Sequence, residues 1–194
     1  MSEPTQAKPD RTWLYLGLGF VALWCAYLAF FAPKFITSEP ALDVSGLSRP
    51  ADYSWSLLDL DDRPVKFSDY KGKAVFLNVW ATWCPPCVRE MPSIAALAAD
   101  PRMKDVAFVC VSADANSGTV KRFMEGKGWP MTVLRASGVP EVFATQGIPA
   151  TFLIAPDGKI VSREEGARDW HTPEVVSLLA TLAKPKPAGE GEAP

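Results

Sequence analysis

The chain has 194 residues, enough for one domain with appendages. Its 20 Lys and Arg residues stand against 22 Asp and Glu residues, giving a net charge of −2 without a basic block, so no nucleic-acid partner is expected. A single histidine argues against a histidine-rich metal site and a histidine-based catalytic triad, and no metal ligands are predicted.

The N-terminal region contains an uncharged apolar segment, Trp13–Ala32. Twenty helical residues span a hydrocarbon core of about 30 Å, so the segment predicts a single transmembrane signal anchor. A cleaved signal peptide is the alternative, although the run is long and Phe30 stands where a small residue would precede the cleavage site. Residues 1–12 would be a cytoplasmic tail, and the proline-rich residues 33–49 a linker to the exported domain.

The region after the linker alternates between strand-like and helix-like patterns, which predicts an α/β fold with a mixed sheet in a domain of residues 50–183. Residues 184–194 have little to bury and are expected to be disordered. In chain order the predicted elements are strands Trp55–Leu60, Pro64–Phe67 and Ala74–Trp80, a helix opening at Cys84, strand Val106–Ser112, helix Thr119–Gly126, strand Met131–Leu134, a helical piece Pro140–Thr145, the hairpin Thr151–Ala155 with Lys159–Ser162, and a last helix capped by Thr172.

Two cysteines three positions apart, Cys84 and Cys87, stand at the predicted start of the first helix of the domain. Residues at this spacing share one helix face, and their separation suits a disulfide. The pair therefore predicts a redox function without a separate cofactor. A structural disulfide or half of a zinc site is the alternative, but zinc normally takes four ligands and the sequence has no second CxxC motif.

The position of each cysteine predicts its role. Cys84 is expected to be the nucleophile, because a helix N-terminus favours its thiolate, and Cys87 would resolve the mixed disulfide. Pro85 and Pro86, which form the loop between them, have no N–H to donate to the Cys84 sulfur. A thiolate with fewer donors is less stabilised, so the pair is predicted to be a reductant rather than an oxidant.

Two sequence blocks carry a family resemblance. AVFLNVWATWCPPCVREMP together with the distal QGIPATFLIAPDGKIV resembles the TlpA/ResA group of membrane-anchored thioredoxin-like proteins, over roughly residues 50–183. The resemblance implies a thioredoxin-like fold with an N-terminal β-hairpin extension and a cis Pro149 that faces the cysteine pair. Trp83 would then be an apolar platform for the substrate, and Ile148 and Pro149 would pair with an extended substrate segment.

The resemblance also singles out Asn78 and Glu90. Thioredoxins usually carry a buried Asp six residues before the first cysteine, and Asn78, which takes that place here, cannot carry a proton. Glu90 matches a glutamate of the ResA-like group and follows Cys87 by one helical turn. We expect Glu90 to assist deprotonation of Cys87. The alternative is a solvated glutamate on the helix surface.

The leading hypothesis is a membrane-tethered thiol-disulfide oxidoreductase that reduces disulfides of client proteins. Because the soluble domain follows a single N-terminal span, as in a signal anchor, we expect the protein in the bacterial inner membrane with the domain on the periplasmic side. The resemblance implies apocytochrome c or copper-site proteins as clients, and a membrane thiol transporter of the CcdA or DsbD type as electron donor.

Two other functions fit less well. A metal chaperone of the Sco kind needs a wider cysteine pair and a histidine, whereas this chain has a CxxC pair and only His171. A peroxiredoxin-like peroxidase needs a threonine three positions before its cysteine, and Thr82 lies two positions before Cys84.

Overall fold

The computed structural model describes residues 11–36, 49–136 and 138–184. The chain forms two compact units, Met1–Ala41 and Leu42–Pro194. In the first unit a helix, α1, covers Thr12–Ile36, which includes the predicted span and extends four residues into the predicted linker. Among the helices of the described ranges, none has the length and apolar character that crossing a membrane requires. The rest of the predicted linker up to residue 48, and the predicted tails apart from residues 11, 12 and 184, lie outside the described residues.

The second unit is an α/β fold in which strands and helices alternate as the sequence predicts. Within its described part, three short 3-10 helices lie in the connections: Phe67–Tyr70, Pro101–Met103 and Glu141–Phe143. Its strands and helices are β1 (Arg49–Pro50), β2 (Ser56–Leu58), β3 (Pro64–Lys66), β4 (Ala74–Trp80), α2 (Pro85–Ala99), β5 (Val106–Ser112), α3 (Ser117–Met124), β6 (Thr132–Arg135), β7 (Ala150–Ile154), β8 (Lys159–Glu165) and α4 (Pro173–Leu182).

The eight strands of the described residues form one mixed sheet in the order β1-β8-β7-β4-β5-β6-β2-β3. The neighbours β4, β5 and β6 are parallel, whereas β7 runs antiparallel to β4 and β8 antiparallel to β7. The lead-in hairpin of β2 and β3 joins the sheet through a single antiparallel pair, Leu58 with Arg135. This mixed sheet with flanking helices confirms the thioredoxin-like α/β fold that the resemblance implies.

The central strand β4 is buried along its whole length, because both of its edges are paired and both of its faces are covered. Its side chains alternate between two cores, as the period of a strand requires. Phe76 and Trp80 pack with residues of α2, α3 and α4, whereas Val75 and Leu77 pack with an aromatic cluster on the other face. By the same alternation Asn78 lies on the face of Phe76 and Trp80, which is the face covered by α2.

Helix ends follow local capping chemistry. The Thr172 hydroxyl accepts a hydrogen bond from the Val175 amide at 3.3 Å, which confirms the predicted cap of α4. Helix α3 begins two residues before the predicted Thr119, because Asn116 caps it by accepting from the Gly118 amide at 2.7 Å. The predicted boundary was therefore wrong by half a turn.

Candidate active site

Cys84 and Cys87 stand at the carboxyl end of β4, where the chain turns from the sheet into α2. They are joined by a disulfide, with their Cα atoms 5.3 Å apart. Cys84 keeps 5% of its surface exposed and Cys87 none. Cys84 is therefore the more accessible residue of the pair.

The Cys84 sulfur accepts a hydrogen bond from the backbone of its own helix. Cys84 is the N-cap residue of α2, and the Cys87 amide donates to its sulfur at 3.3 Å. A capping side chain can accept from the second or the third residue of a helix, and here the second, Pro86, has no N–H. Within the first turn of α2, the Cys87 amide is the donor that remains.

Across from the cysteine pair lies the loop before β7. The Ile148–Pro149 peptide bond is cis, which confirms what the resemblance implies. The Cys84 sulfur lies 3.6 Å from the Ile148 carbonyl oxygen, so this loop and the redox pair form one site. Trp83 is 66% exposed beside them, and no other aromatic side chain described in the second unit is so open to solvent.

Glu90 is buried beneath the cysteine pair, with 3% of its surface exposed. It lies one turn after Cys87 on the buried face of α2. Its Oε1 accepts from Asn78 Nδ2 at 2.9 Å, and its Oε2 accepts from Trp170 Nε1 at 3.0 Å and from the Arg168 amide at 3.3 Å. The alternative of a solvated surface glutamate is therefore wrong.

Opposing influences act on the Glu90 carboxyl. Burial raises its pKa above the ordinary value, and hydrogen bonds from Trp170, Asn78 and the Arg168 amide offset part of that rise. The result is a carboxylate that binds a proton more readily than a surface glutamate does. Such a group is suited to take a proton from a neighbouring thiol.

Asn78 connects Glu90 to the strand on the other side of β4. Its Nδ2 also donates to Thr151 Oγ1 at 2.9 Å, so the amide is shared between α2 and β7. Its Oδ1 is buried and has no hydrogen-bond partner among the described groups. Cys110, the register neighbour of Asn78 on β5, is fully buried, and burial together with the Glu90 charge raises the pKa of its thiol.

The segment between β8 and α4 supplies two of the Glu90 donors, Arg168 and Trp170, which the sequence analysis did not find. The sequence of this segment, GARDW at residues 166–170, has no spacing that points to a residue 80 positions away. His171, the histidine considered for a Sco-like metal chaperone, lies outside this network and pairs with Asp100 at 3.2 Å. The described residues hold no group of three or more His, Cys, Asp or Glu side chains placed to bind a metal ion.

Comparisons with known proteins identify related sequences over most of the chain. The Redoxin family model matches residues 36–181. The thiol-disulfide oxidoreductase ResA of Bacillus subtilis is 32% identical over 185 residues, covering 92% of this chain and 96% of the relative. ResA of Halalkalibacterium halodurans is 33% identical over 132 residues, covering 67% of this chain and 73% of the relative.

Solved structures agree with this relationship. A thiol:disulfide interchange protein of the thioredoxin family from Chlorobium tepidum superposes with a TM-score of 0.55 at 26% identity, covering 74% of this chain and 99% of that protein. A secreted disulfide oxidoreductase of Mycobacterium tuberculosis superposes with a TM-score of 0.55 at 28% identity, covering 68% of this chain and all of that protein.

Proposed function

The chain belongs to the Redoxin family, as a TlpA/ResA-like thiol-disulfide oxidoreductase, and from this premise we propose that it reduces disulfides of client proteins. The observation that carries the proposal is the arrangement of the cysteine pair. The slightly exposed Cys84 lies beside the Ile148 carbonyl, and the fully buried Cys87 lies directly behind it.

The proposed reaction has two exchange steps. In the reduced protein, the Cys84 thiolate attacks one sulfur of a client disulfide, and the other client sulfur leaves as a thiolate. Cys87 then loses its proton and attacks the Cys84 sulfur, which releases the second client sulfur and closes the Cys84–Cys87 disulfide. Two electrons pass from the pair to the client, and the disulfide form described above is the product state.

Glu90 is proposed to accept the Cys87 proton in the second step. Its burial behind the pair, one turn from Cys87, supports this role, and so does its raised pKa. Asn78 and Trp170 hold the two carboxylate oxygens, so the group is oriented before the reaction. Asn78 and Glu90 together would thus replace the single buried aspartate of thioredoxins as the proton acceptor.

Client contact is proposed to involve Trp83, Ile148 and Pro149. The exposed indole of Trp83 offers an apolar surface beside Cys84, and Ile148 is within reach of the same sulfur. An extended client segment would lie along the Ile148–Pro149 backbone as a short additional strand. Apocytochrome c or a copper-site protein would be the client, as the family resemblance suggests.

We also propose that the domain lies outside the cytoplasm. The twenty uncharged residues Trp13–Ala32 support a tether to the bacterial inner membrane, and the apolar side chains described in α1 are largely exposed. Disulfides persist in the periplasm, so reducing electrons would have to be imported. A membrane thiol transporter of the CcdA or DsbD type is the proposed donor.

Trapping in the native membrane tests the function and its partners together. With Cys87→Ala, a client captured by Cys84 cannot be released, so mixed disulfides should accumulate and dissociate on addition of dithiothreitol. The matched control lacks both cysteines. Adducts at Cys84 with exported proteins support the proposal, whereas the same adducts in the control, or none with Cys87→Ala, contradict it.

A further inference from the structure

The turn that carries Cys84 is tied to β5 by a buried carboxylate that the reaction above does not use. This turn covers Ala81–Cys84, between the end of β4 and the start of α2. The Cys84 amide donates to the Ala81 carbonyl at 3.2 Å, which closes the turn. Its second residue, Thr82, points toward Asp114, two residues beyond the end of β5.

Asp114 binds Thr82 through both of its oxygens. Oδ1 accepts from the Thr82 hydroxyl at 2.6 Å, and Oδ2 accepts from the Thr82 amide at 2.8 Å. Oδ2 also accepts from the Ser112 hydroxyl at 2.7 Å, and the Asp114 amide donates back to that hydroxyl at 3.0 Å. Asp114 is 4% exposed, so its carboxylate is a buried group with three donors.

The electrostatics agree with this geometry. Burial raises the pKa of the Asp114 carboxyl, but hydrogen bonds from Thr82 and Ser112 outweigh burial and hold the pKa below the ordinary value. The group is therefore ionised at neutral pH and accepts all three bonds at once. Hydrogen bonds to a charged group are roughly twice as strong as neutral ones, so the turn is held firmly.

We propose that Asp114 is a positioning residue for Cys84, acting through Thr82. By fixing the second residue of the turn, it holds the Cys84 sulfur against the Cys87 amide, where the thiolate of the reduced protein is stabilised. The effect of Asp114 on client reduction rests on the proposed function. Its effect on the ionisation of Cys84 does not. It also gives Thr82 a role other than that of a peroxidase threonine.

The consequence is a link between one hydroxyl group and the reactivity of Cys84. If the Thr82 bond is lost, the turn can shift, and displacement by about 1 Å at a reacting group can lower a rate by as much as about 100-fold. The Cys84 thiolate would lose alignment with its amide donor, so the thiol would ionise at higher pH. A change that only weakened the fold would leave this ionisation where it is.

The test compares Thr82→Val, which removes the hydroxyl at nearly constant shape, with Thr82→Ser, which keeps it. In the reduced full chain, alkylation of Cys84 by iodoacetamide is followed against pH by mass spectrometry of the Cys84 peptide, and insulin reduction is followed at pH 7. Thr82→Val should move the alkylation midpoint to higher pH and slow insulin reduction by about 10-fold. Thr82→Ser should stay close to wild type in both.

Asp114→Asn provides the second arm of the test. It should slow insulin reduction, and adding Thr82→Val to it should slow the reaction little further, because both changes break the same contact. Asp157→Asn is the matched control, since that aspartate accepts from the Lys159 amide at 3.1 Å in the β7–β8 turn, at the opposite end of the sheet. It should change neither readout.

Three results would overturn the inference. The first is an unshifted alkylation midpoint in Thr82→Val, and the second is a shift of equal size in Thr82→Ser. The third is a double variant in which the reductions in insulin-reduction rate caused by Thr82→Val and by Asp114→Asn add in full. If Asp114→Asn does not fold, the two Thr82 variants decide alone. If the wild-type chain does not reduce insulin, the proposed function is contradicted. The alkylation midpoints would still test the role of Asp114.

Discussion

Trp170 donates its indole N–H to Glu90 Oε2 at 3.0 Å, although 80 positions separate the two residues in the chain. Both side chains are buried, and Trp170 also packs edge-on against Phe76 with ring centroids 5.0 Å apart. The indole is therefore held in place by the core while it holds the carboxylate. The segment before α4 thus contacts the buried carboxylate that lies one turn after the cysteine pair.

Trp170→Phe should shift the pH dependence of client reduction. Losing the indole donor leaves the Glu90 carboxylate less stabilised, so the pKa of Glu90 rises further and the acid side of the rate profile moves to higher pH. The free energy of unfolding should also fall by about 2 kcal/mol, because a buried hydrogen bond and some packing are lost. Insulin reduction between pH 5 and pH 9 measures the first effect.

The matched control is Trp55→Phe. Trp55 is also buried and donates its indole N–H to the Gly138 carbonyl at 3.0 Å, but it belongs to the core on the other face of the sheet. Its loss should destabilise the fold to a similar degree and leave the pH profile unchanged. Equal shifts in the two variants would mean that Trp170 acts only through stability.

Glu90→Gln should change how stability depends on pH. The pKa of Glu90 is raised in the folded protein, so the folded state holds the proton more tightly than the unfolded state does. The free energy of unfolding of wild type should therefore fall relative to that of Glu90→Gln as the pH rises. The fall should begin near the ordinary glutamate pKa of 4.5 and continue through the raised pKa of Glu90. Urea unfolding at a series of pH values measures the difference, and a difference that does not vary with pH would contradict the assignment.

Pro86→Ala should make the cysteine pair more oxidising. Position 86 is the second residue of α2, so an alanine there supplies an N–H that can donate to the Cys84 sulfur beside the Cys87 amide. A hydrogen bond to a charged group contributes about 1.5 kcal/mol. For a two-electron couple this free energy corresponds to a rise of about 30 mV in reduction potential. Equilibration with a glutathione buffer measures the potential.

Pro85→Ala is the control for this prediction. Position 85 is the first residue of α2, whose amide a capping side chain does not normally engage. The variant should keep a potential close to that of wild type. If both variants shift the potential equally, backbone flexibility rather than the added donor would be responsible.

Features set by neighbouring residues were predictable from the sequence. Six of the seven residues of β4 are apolar and predict a buried strand, Thr172 predicts the cap of α4, and the spacing of Cys84 and Cys87 predicts a disulfide. Each of these depends on contacts within a few positions. The α/β fold class and the location of the redox pair could therefore be predicted from local patterns, whereas the thioredoxin-like topology was implied by the family resemblance.

Features set by distant residues could not be predicted from the sequence. The environment of Glu90 depends on donors from β4 and from the segment before α4, and the solvated alternative was open until these were placed. The two-residue strand β1 carries no local pattern and forms because Arg49 and Pro50 pair with β8. Strand β8 likewise extends beyond the predicted Ser162 to Glu165, since β7 continues beside it to Ala150.

The proposed reaction requires that Cys84 attacks first and Cys87 resolves, and single-turnover reaction of the reduced chain with insulin tests that order directly. Wild type should cleave the insulin disulfide, Cys87→Ala should stop at a mixed disulfide through Cys84, and Cys84→Ala should form none. A mixed disulfide through Cys87 in the Cys84→Ala chain, at the rate seen for Cys87→Ala, would contradict this order of attack.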